Sequence, residues 1–146
     1  MPAECLFCQI AAQARGAAVV FEDLRCLAFL DHRPLLPGHV LLIPKSHIET
    51  LADLPATEIG PLFGNAQRLA RAMEEALGAE GSFVAINNRV SQSVPHLHIH
   101  VVPRRRKDGL KGFFWPRGKY GCEEEMEAVR AKLEQALAGS RPAASP

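Results

Sequence analysis

The chain has 146 residues, 47% hydrophobic and 23% charged, which suits one globular domain with a substantial core. Its 17 Lys and Arg against 16 Asp and Glu leave a formal charge of +1, so non-specific nucleic-acid binding is not expected. No apolar run approaches the roughly 18 residues of a membrane span. The N-terminal MPAECLFCQIAAQARG lacks the basic start and long apolar stretch of a signal peptide, so a cytoplasmic protein with no membrane partner is expected.

Taken in chain order, Cys5–Ala14 reads as a short helix, and Val19–Glu22 and Cys26–Leu30 read as two strands joined by the hairpin turn Asp23-Leu24-Arg25. The Pro37-Gly38 turn precedes HVLLIP, an apolar strand ending at Pro44. Pro55 opens a long helix in which Leu62, Ala66, Leu69, Ala70, Met73 and Leu77 recur at helical spacing, and Gly78 suits its C-cap. SFVAIN (82–87) and HLHIHVVP (96–103) read as further strands, and Glu123–Leu137 as a helix with acidic residues in its first turn. Short connections between strands favour antiparallel pairing, so the expected class is α+β: about five antiparallel strands, one long helix and a C-terminal helix. One long helix covers only one sheet face, and a second subunit would cover the other.

The near-neutral total hides an asymmetry. Residues 104–120 (RRRKDGLKGFFWPRGKY) hold seven Lys or Arg and one Asp, a local +6, so the remainder sums to −5. The main domain is expected over 4–104. Residues 105–138, a basic loop and the last helix, would complete it, and 139–146 would form a disordered tail.

All six histidines fall in two segments, His32, His39 and His47 in one and His96, His98 and His100 in the other. On a strand the last three share one face, while Leu97, Ile99 and Val101 point to the opposite face as core. Three adjacent imidazoles must line something polar, because six ring nitrogens need partners. Metal ligation is one reading. Phosphoryl chemistry by a histidine nucleophile is the other, and the neighbouring Gln92-Ser93, neutral hydrogen-bonding groups, favours it. Separately, Cys5 and Cys8 form a C-x-x-C pair, the spacing with which two thiolates grip one zinc; buried thiols are the alternative.

The pattern His-φ-His-φ-His-φ-φ, with φ apolar, resembles the signature of the histidine triad (HIT) family of nucleotide hydrolases and transferases. CLFCQI, FEDLRCLAFLDHRPLLPGHVLLIPKSHI and QSVPHLHIHVVPR resemble family segments in the family order, over roughly residues 4–104. The resemblance implies the family's fold and a homodimer. It implies that His98 is the nucleophile toward the α-phosphorus of a purine nucleotide, with the His96 carbonyl holding its other nitrogen. His100 and His39 would complete the hydrogen-bonded network around the phosphate. Gln92 and Ser93 match phosphate or leaving-group contacts, Asp31 a ribose contact, Leu6, Phe7 and Phe29 the apolar base pocket, and Asn87 a polar residue at the phosphate end. Cys5, Cys8, His47 and His96 match positions that supply a structural zinc in some bacterial members; no organic cofactor is implied.

Two departures stand out. Asn87-Asn88-Arg89-Val90-Ser91-Gln92 has no glycine where many members carry one before the glutamine, and His32 stands where an apolar residue is common. The implied activity is hydrolysis of a nucleoside phosphoramidate or a dinucleoside polyphosphate through a nucleotidyl-histidine. The alternatives are a dinucleoside polyphosphate phosphorylase and a non-catalytic nucleotide-binding regulator. The basic loop mildly favours the polyphosphate.

Overall fold

The structure is a computed structural model that describes residues 4–110 and 118–140. The aromatic run Phe113-Phe114-Trp115-Pro116 and the tail beyond Ser140 lie outside the described residues. The chain divides at Arg106 into two compact units.

The first unit contains α1 (Leu6–Ala11), β1 (Val19–Glu22), β2 (Cys26–Leu30), β3 (Val40–Pro44), a short 3-10 turn at Leu51–Asp53, α2 (Ala56–Leu77), β4 (Gly81–Ala85) and β5 (Ile99–Arg104). The five strands form one antiparallel sheet in the order β1-β2-β3-β5-β4. The expected α+β architecture is therefore observed. The β1–β2 turn is closed by Asp23, whose Oδ1 accepts from the backbone N–H of Arg25 (2.8 Å) and Cys26 (2.7 Å).

Strands β2 and β3 are buried on both faces, and alternation sorts their side chains into two cores. Cys26, Ala28, Val40 and Leu42 join Leu97, Ile99 and Val101 beneath α2. Leu27, Phe29, Leu41 and Ile43 face α1, packing with Phe7, Cys8 and Ile10, so α1 rather than a second subunit covers this part of the other sheet face. Each fully buried aliphatic side chain contributes about 2 kcal/mol. Helix α2 buries Leu62, Ala66, Leu69 and Met73 as its spacing predicts, and Gly78 caps it at φ 63°. Two positions differ. Leu77 is 44% exposed, and the polar Asn65 is buried, its amide donating to Asp23 Oδ2 at 2.8 Å and tying α2 to the hairpin.

Several boundaries also differ from the sequence reading. Helix α1 stops at Ala11, and Gln13 follows in the left-handed region (φ 59°). Strand β4 covers 81–85 rather than 82–87, and β5 starts at Ile99 rather than His96. The reason for the late start is local. The Leu97 N–H bonds to the Ile48 carbonyl at 2.6 Å, and the His96 carbonyl accepts from a side chain, so neither group joins a ladder. Alternation survives the bend, leaving Leu97 in the core and His96 and His98 on the opposite side.

The second unit holds α3 (Glu123–Ala138), one residue longer than expected, with Glu123, Glu124 and Glu125 in its first turn. Within it, Arg130 bridges Glu127 and Glu134, each at 2.7 Å. Among the described residues no helix is long and apolar enough to cross a membrane.

Candidate functional site

The N-terminal segment and the bend before β5 meet at four side chains. Cys5 and Cys8 sit at the start of α1, His47 follows β3, and His96 opens the histidine segment. Their ligand atoms all lie within 4.8 Å of one another. Cys5 Sγ is 3.5 Å from His96 Nδ1, and Cys8 Sγ is 3.6 Å from the same nitrogen and 3.3 Å from His47 Nδ1. Sulfur and nitrogen ligands of one tetrahedral zinc stand about 3.6 Å apart, given bonds of about 2.3 and 2.05 Å.

The protonation pattern fits as well. The His96 Nε2–H donates to the Pro44 carbonyl at 2.7 Å, which leaves the Nδ1 lone pair facing the sulfurs. Burial holds the His96 imidazole below its usual pKa, and so neutral. Burial and the adjacent Cys5 push the Cys8 thiol up to about 11, so a bound cation is what favours its thiolate. Cys5, Cys8, His47 and His96 are arranged to hold a metal ion, and two sulfurs with two imidazoles suit zinc.

The other histidines form a second network. The His98 Nδ1–H donates to the His96 carbonyl at 2.7 Å, so the lone pair lies at Nε2. His39 Nδ1 accepts from the Leu35 N–H at 3.0 Å, which places the His39 proton on Nε2. That proton is donated to His100 Nδ1, also at 3.0 Å, and the His100 proton is therefore on Nε2. The tautomers of three rings thus follow from two backbone groups. His98 and His100 stand with centroids 4.9 Å apart, a bare nitrogen beside a ring N–H. Burial, then the neighbouring His98 and His39, lower His100 to about 4, and burial lowers His39 although Asp31, 3.8 Å from its Nε2, opposes. Both are neutral at pH 7.

Sheet register sets the surroundings. Phe29 pairs with Leu41, and Leu41 with His100, so an apolar row leads across the sheet to the histidines. Phe7 reaches the same row from α1, edge-on to Phe29 (5.4 Å) and to His98 (5.2 Å). Above it lies a cleft of about 530 Å³. Of the residues expected to contact substrate, Leu6, Phe7, Phe29, Asp31 and Ser93 line this cleft together with His98 and His100.

Asn87 and Gln92 do not line it. The Gln92 side chain instead ties its own loop, accepting from the Arg89 N–H and donating to the Glu49 carbonyl, both at 2.7 Å. Without glycine, this loop holds Arg89 (φ 66°) and Ser91 (φ 59°) in the left-handed region. The sequence alone does not point to Ile10, Arg15 and Val94 as lining residues; His32, whose place beside Asp31 allows either a nucleotide contact or a solvated loop position, lines the cleft. Ile10 was within reach, lying one helical turn from Phe7.

A family model, the HIT domain, matches residues 13–107. The chain belongs to the HIT family. An uncharacterized HIT-like protein of Mycobacterium tuberculosis is 37% identical over 145 residues, covering 96% of this chain and 97% of its own. The solved structure of a zinc-bound histidine triad family protein from Mycobacterium smegmatis is 38% identical, with a TM-score of 0.71 over 94% of this chain and 98% of the other. A bis(5'-nucleosyl)-tetraphosphatase (asymmetrical) of Schizosaccharomyces pombe is 35% identical over 95 residues, 64% of this chain and 52% of the enzyme. The HIT family therefore includes nucleotide hydrolases, and a zinc-bound member shares this fold.

Proposed function

We propose that the protein is a nucleotide hydrolase that acts at the α-phosphate of a nucleoside phosphoramidate or dinucleoside polyphosphate through a nucleotidyl-His98 intermediate. The observation that carries the reading is the 2.7 Å bond from His98 Nδ1 to the His96 carbonyl, which leaves Nε2 as the nucleophile at the edge of the cleft. The His98 nitrogen attacks phosphorus, a P–N bond forms, and the leaving group departs with the bonding pair. Water then attacks the same phosphorus and releases the mononucleotide and His98. The His100 Nε2–H, set by the relay from Leu35 through His39, stabilises charge on the phosphoryl oxygens. Ser93 adds a hydroxyl to the same end, Asp31 accepts from the ribose, and Leu6, Phe7 and Phe29 enclose a purine. Gln92 acts through its loop, by bracing it.

Zinc at Cys5, Cys8, His47 and His96 serves structure: it fixes α1, which carries Phe7, to the segment whose carbonyl orients His98. The protein acts as a homodimer, its second subunit covering apolar surface on α2 and β4.

Turnover of an adenosine phosphoramidate and a diadenosine polyphosphate by wild type and His98→Ala tests the reading, with inorganic phosphate present and absent. Loss of turnover in His98→Ala supports it, and the preferred substrate selects the branch. Products that incorporate added phosphate identify a phosphorylase. Nucleotide binding without turnover in the wild type identifies a non-catalytic regulator.

A further inference from the structure

Apolar walls hold a base by area and stacking, but they do not tell one purine from another; that takes a polar group at the base edge. The polar lining of the cleft is Ser93, His98, His100, Asp31 and His32, with an Asp31 oxygen within 4.8 Å of the His39 and His100 ring nitrogens. The remaining charged residue is Arg15, in the connection from α1 to β1.

A second cavity of about 250 Å³ locates it. This cavity shares Ile10, Arg15, Gly16 and Ala17 with the cleft, continues to Val19, Glu22 and Leu27, and includes none of the histidines. Arg15 therefore stands at the end of the cleft away from the phosphoryl site. The adjoining backbone is already engaged, with the Ala17 carbonyl accepting from Val19 N–H (3.1 Å) and the Ala18 carbonyl from Leu30 N–H (2.9 Å). Among the described residues, no hydrogen bond or ion pair engages the Arg15 guanidinium.

We infer that Arg15 is a specificity residue that reads the outer edge of the base and favours 6-oxopurine nucleotides, guanine and hypoxanthine, over adenine nucleotides. The inference rests on the nucleotide reading above. A guanidinium offers five donors in a planar fork and no acceptor. Guanine and hypoxanthine present two acceptors, O6 and N7, on one edge, and the fork meets both. Adenine presents N7 beside the N6 amino group, a donor facing a donor. A bidentate match of this kind discriminates by roughly tenfold to a hundredfold. Because the contact lies far from phosphorus, it appears in binding and KM rather than in kcat.

Calorimetric titration of GMP, IMP and AMP into wild type, Arg15→Gln and Arg15→Lys tests this. GMP and IMP are expected to bind the wild type at least about tenfold more tightly than AMP. The ratio falls toward one in Arg15→Gln and also in Arg15→Lys, which keeps the charge and loses the fork. IMP separates recognition of O6 from recognition of the 2-amino group. Equal binding of the three by the wild type, or a preference that survives in Arg15→Gln, overturns the inference and leaves the nucleotide reading intact. Absence of binding by all three overturns both.

Discussion

His100 gives a quantitative test of the histidine network. Burial, with the neighbouring His98 and His39, lowers its pKa from 6.5 to about 4. The unfolded chain binds this proton first as pH falls, so the neutral ring's stabilising contribution is complete above about pH 6.5 and is lost progressively down to about pH 4. That interval, at about 1.36 kcal/mol per pH unit, amounts to about 3 kcal/mol, and partial exposure of the ring reduces it to about 2. Urea unfolding of wild type and His100→Gln at pH 7.0, 6.0, 5.0 and 4.5 measures it. Wild type should lose about 1.5 kcal/mol more than the variant over this range, which stops short of pH 4, with the gap opening below pH 6.5. Protonation of the metal ligands is common to both proteins and cancels. His39, bonded to His100, is part of the relay, so the gap reads the His39–His100 pair. Parallel pH profiles would refute the network as a buried neutral relay.

Three further outcomes are expected. With free zinc at about a thousand times Kd, the protein gains about 4 kcal/mol over its chelated form, measured by scanning calorimetry. Cys8→Ser should lose that increment, whereas an unchanged melting temperature after chelation would remove zinc from the account. Gly38 has φ +97°, and a Cβ there would stand 2.6 Å from the tip of the half-exposed Leu77 and 3.1 Å from Pro103 Cγ, so Gly38→Ala should cost about 1–3 kcal/mol, most of it backbone strain. Adding Leu77→Ala should recover the clash and leave the backbone part, read as coupling in a double-mutant cycle. Exposed Ile59 and Phe63 on α2 and Val84 on the edge strand β4 are the apolar surface assigned to the dimer. Light scattering should find a wild-type dimer and a monomeric Val84→Glu; a wild-type monomer would contradict the assembly.

Much of this was legible because two periodicities run through the chain. Alternation in Leu97–Val101 announced a core face, the unbroken apolar runs Cys26–Leu30 and Val40–Pro44 announced buried strands, and the helical spacing of Leu62, Ala66, Leu69 and Met73 supplied the cover. The zinc ligands were legible as chemistry, since C-x-x-C is a local signal and His47 and His96 came from the family pattern. Features built from loop hydrogen bonds were not. The Leu35 N–H that sets the His39 tautomer is a backbone group with no sequence signature. The same holds for Gln92, whose amide bonds Arg89 in its own loop and the Glu49 carbonyl, and for Asn65, a polar residue on the buried helix face that bonds Asp23 and Arg68. Arg15 escaped notice because the α1–β1 connection carries no periodicity to say which way it faces.

The central claim is a bond between His98 and phosphorus, and the most direct measurement is to trap it. Wild type mixed with an adenosine phosphoramidate, quenched in denaturant at alkaline pH and digested for peptide mass spectrometry, should yield one adenylylated peptide with the adduct on His98. His98→Ala should yield none. Turnover by the wild type with no adduct at any quench time, or an adduct on another histidine, would contradict the account.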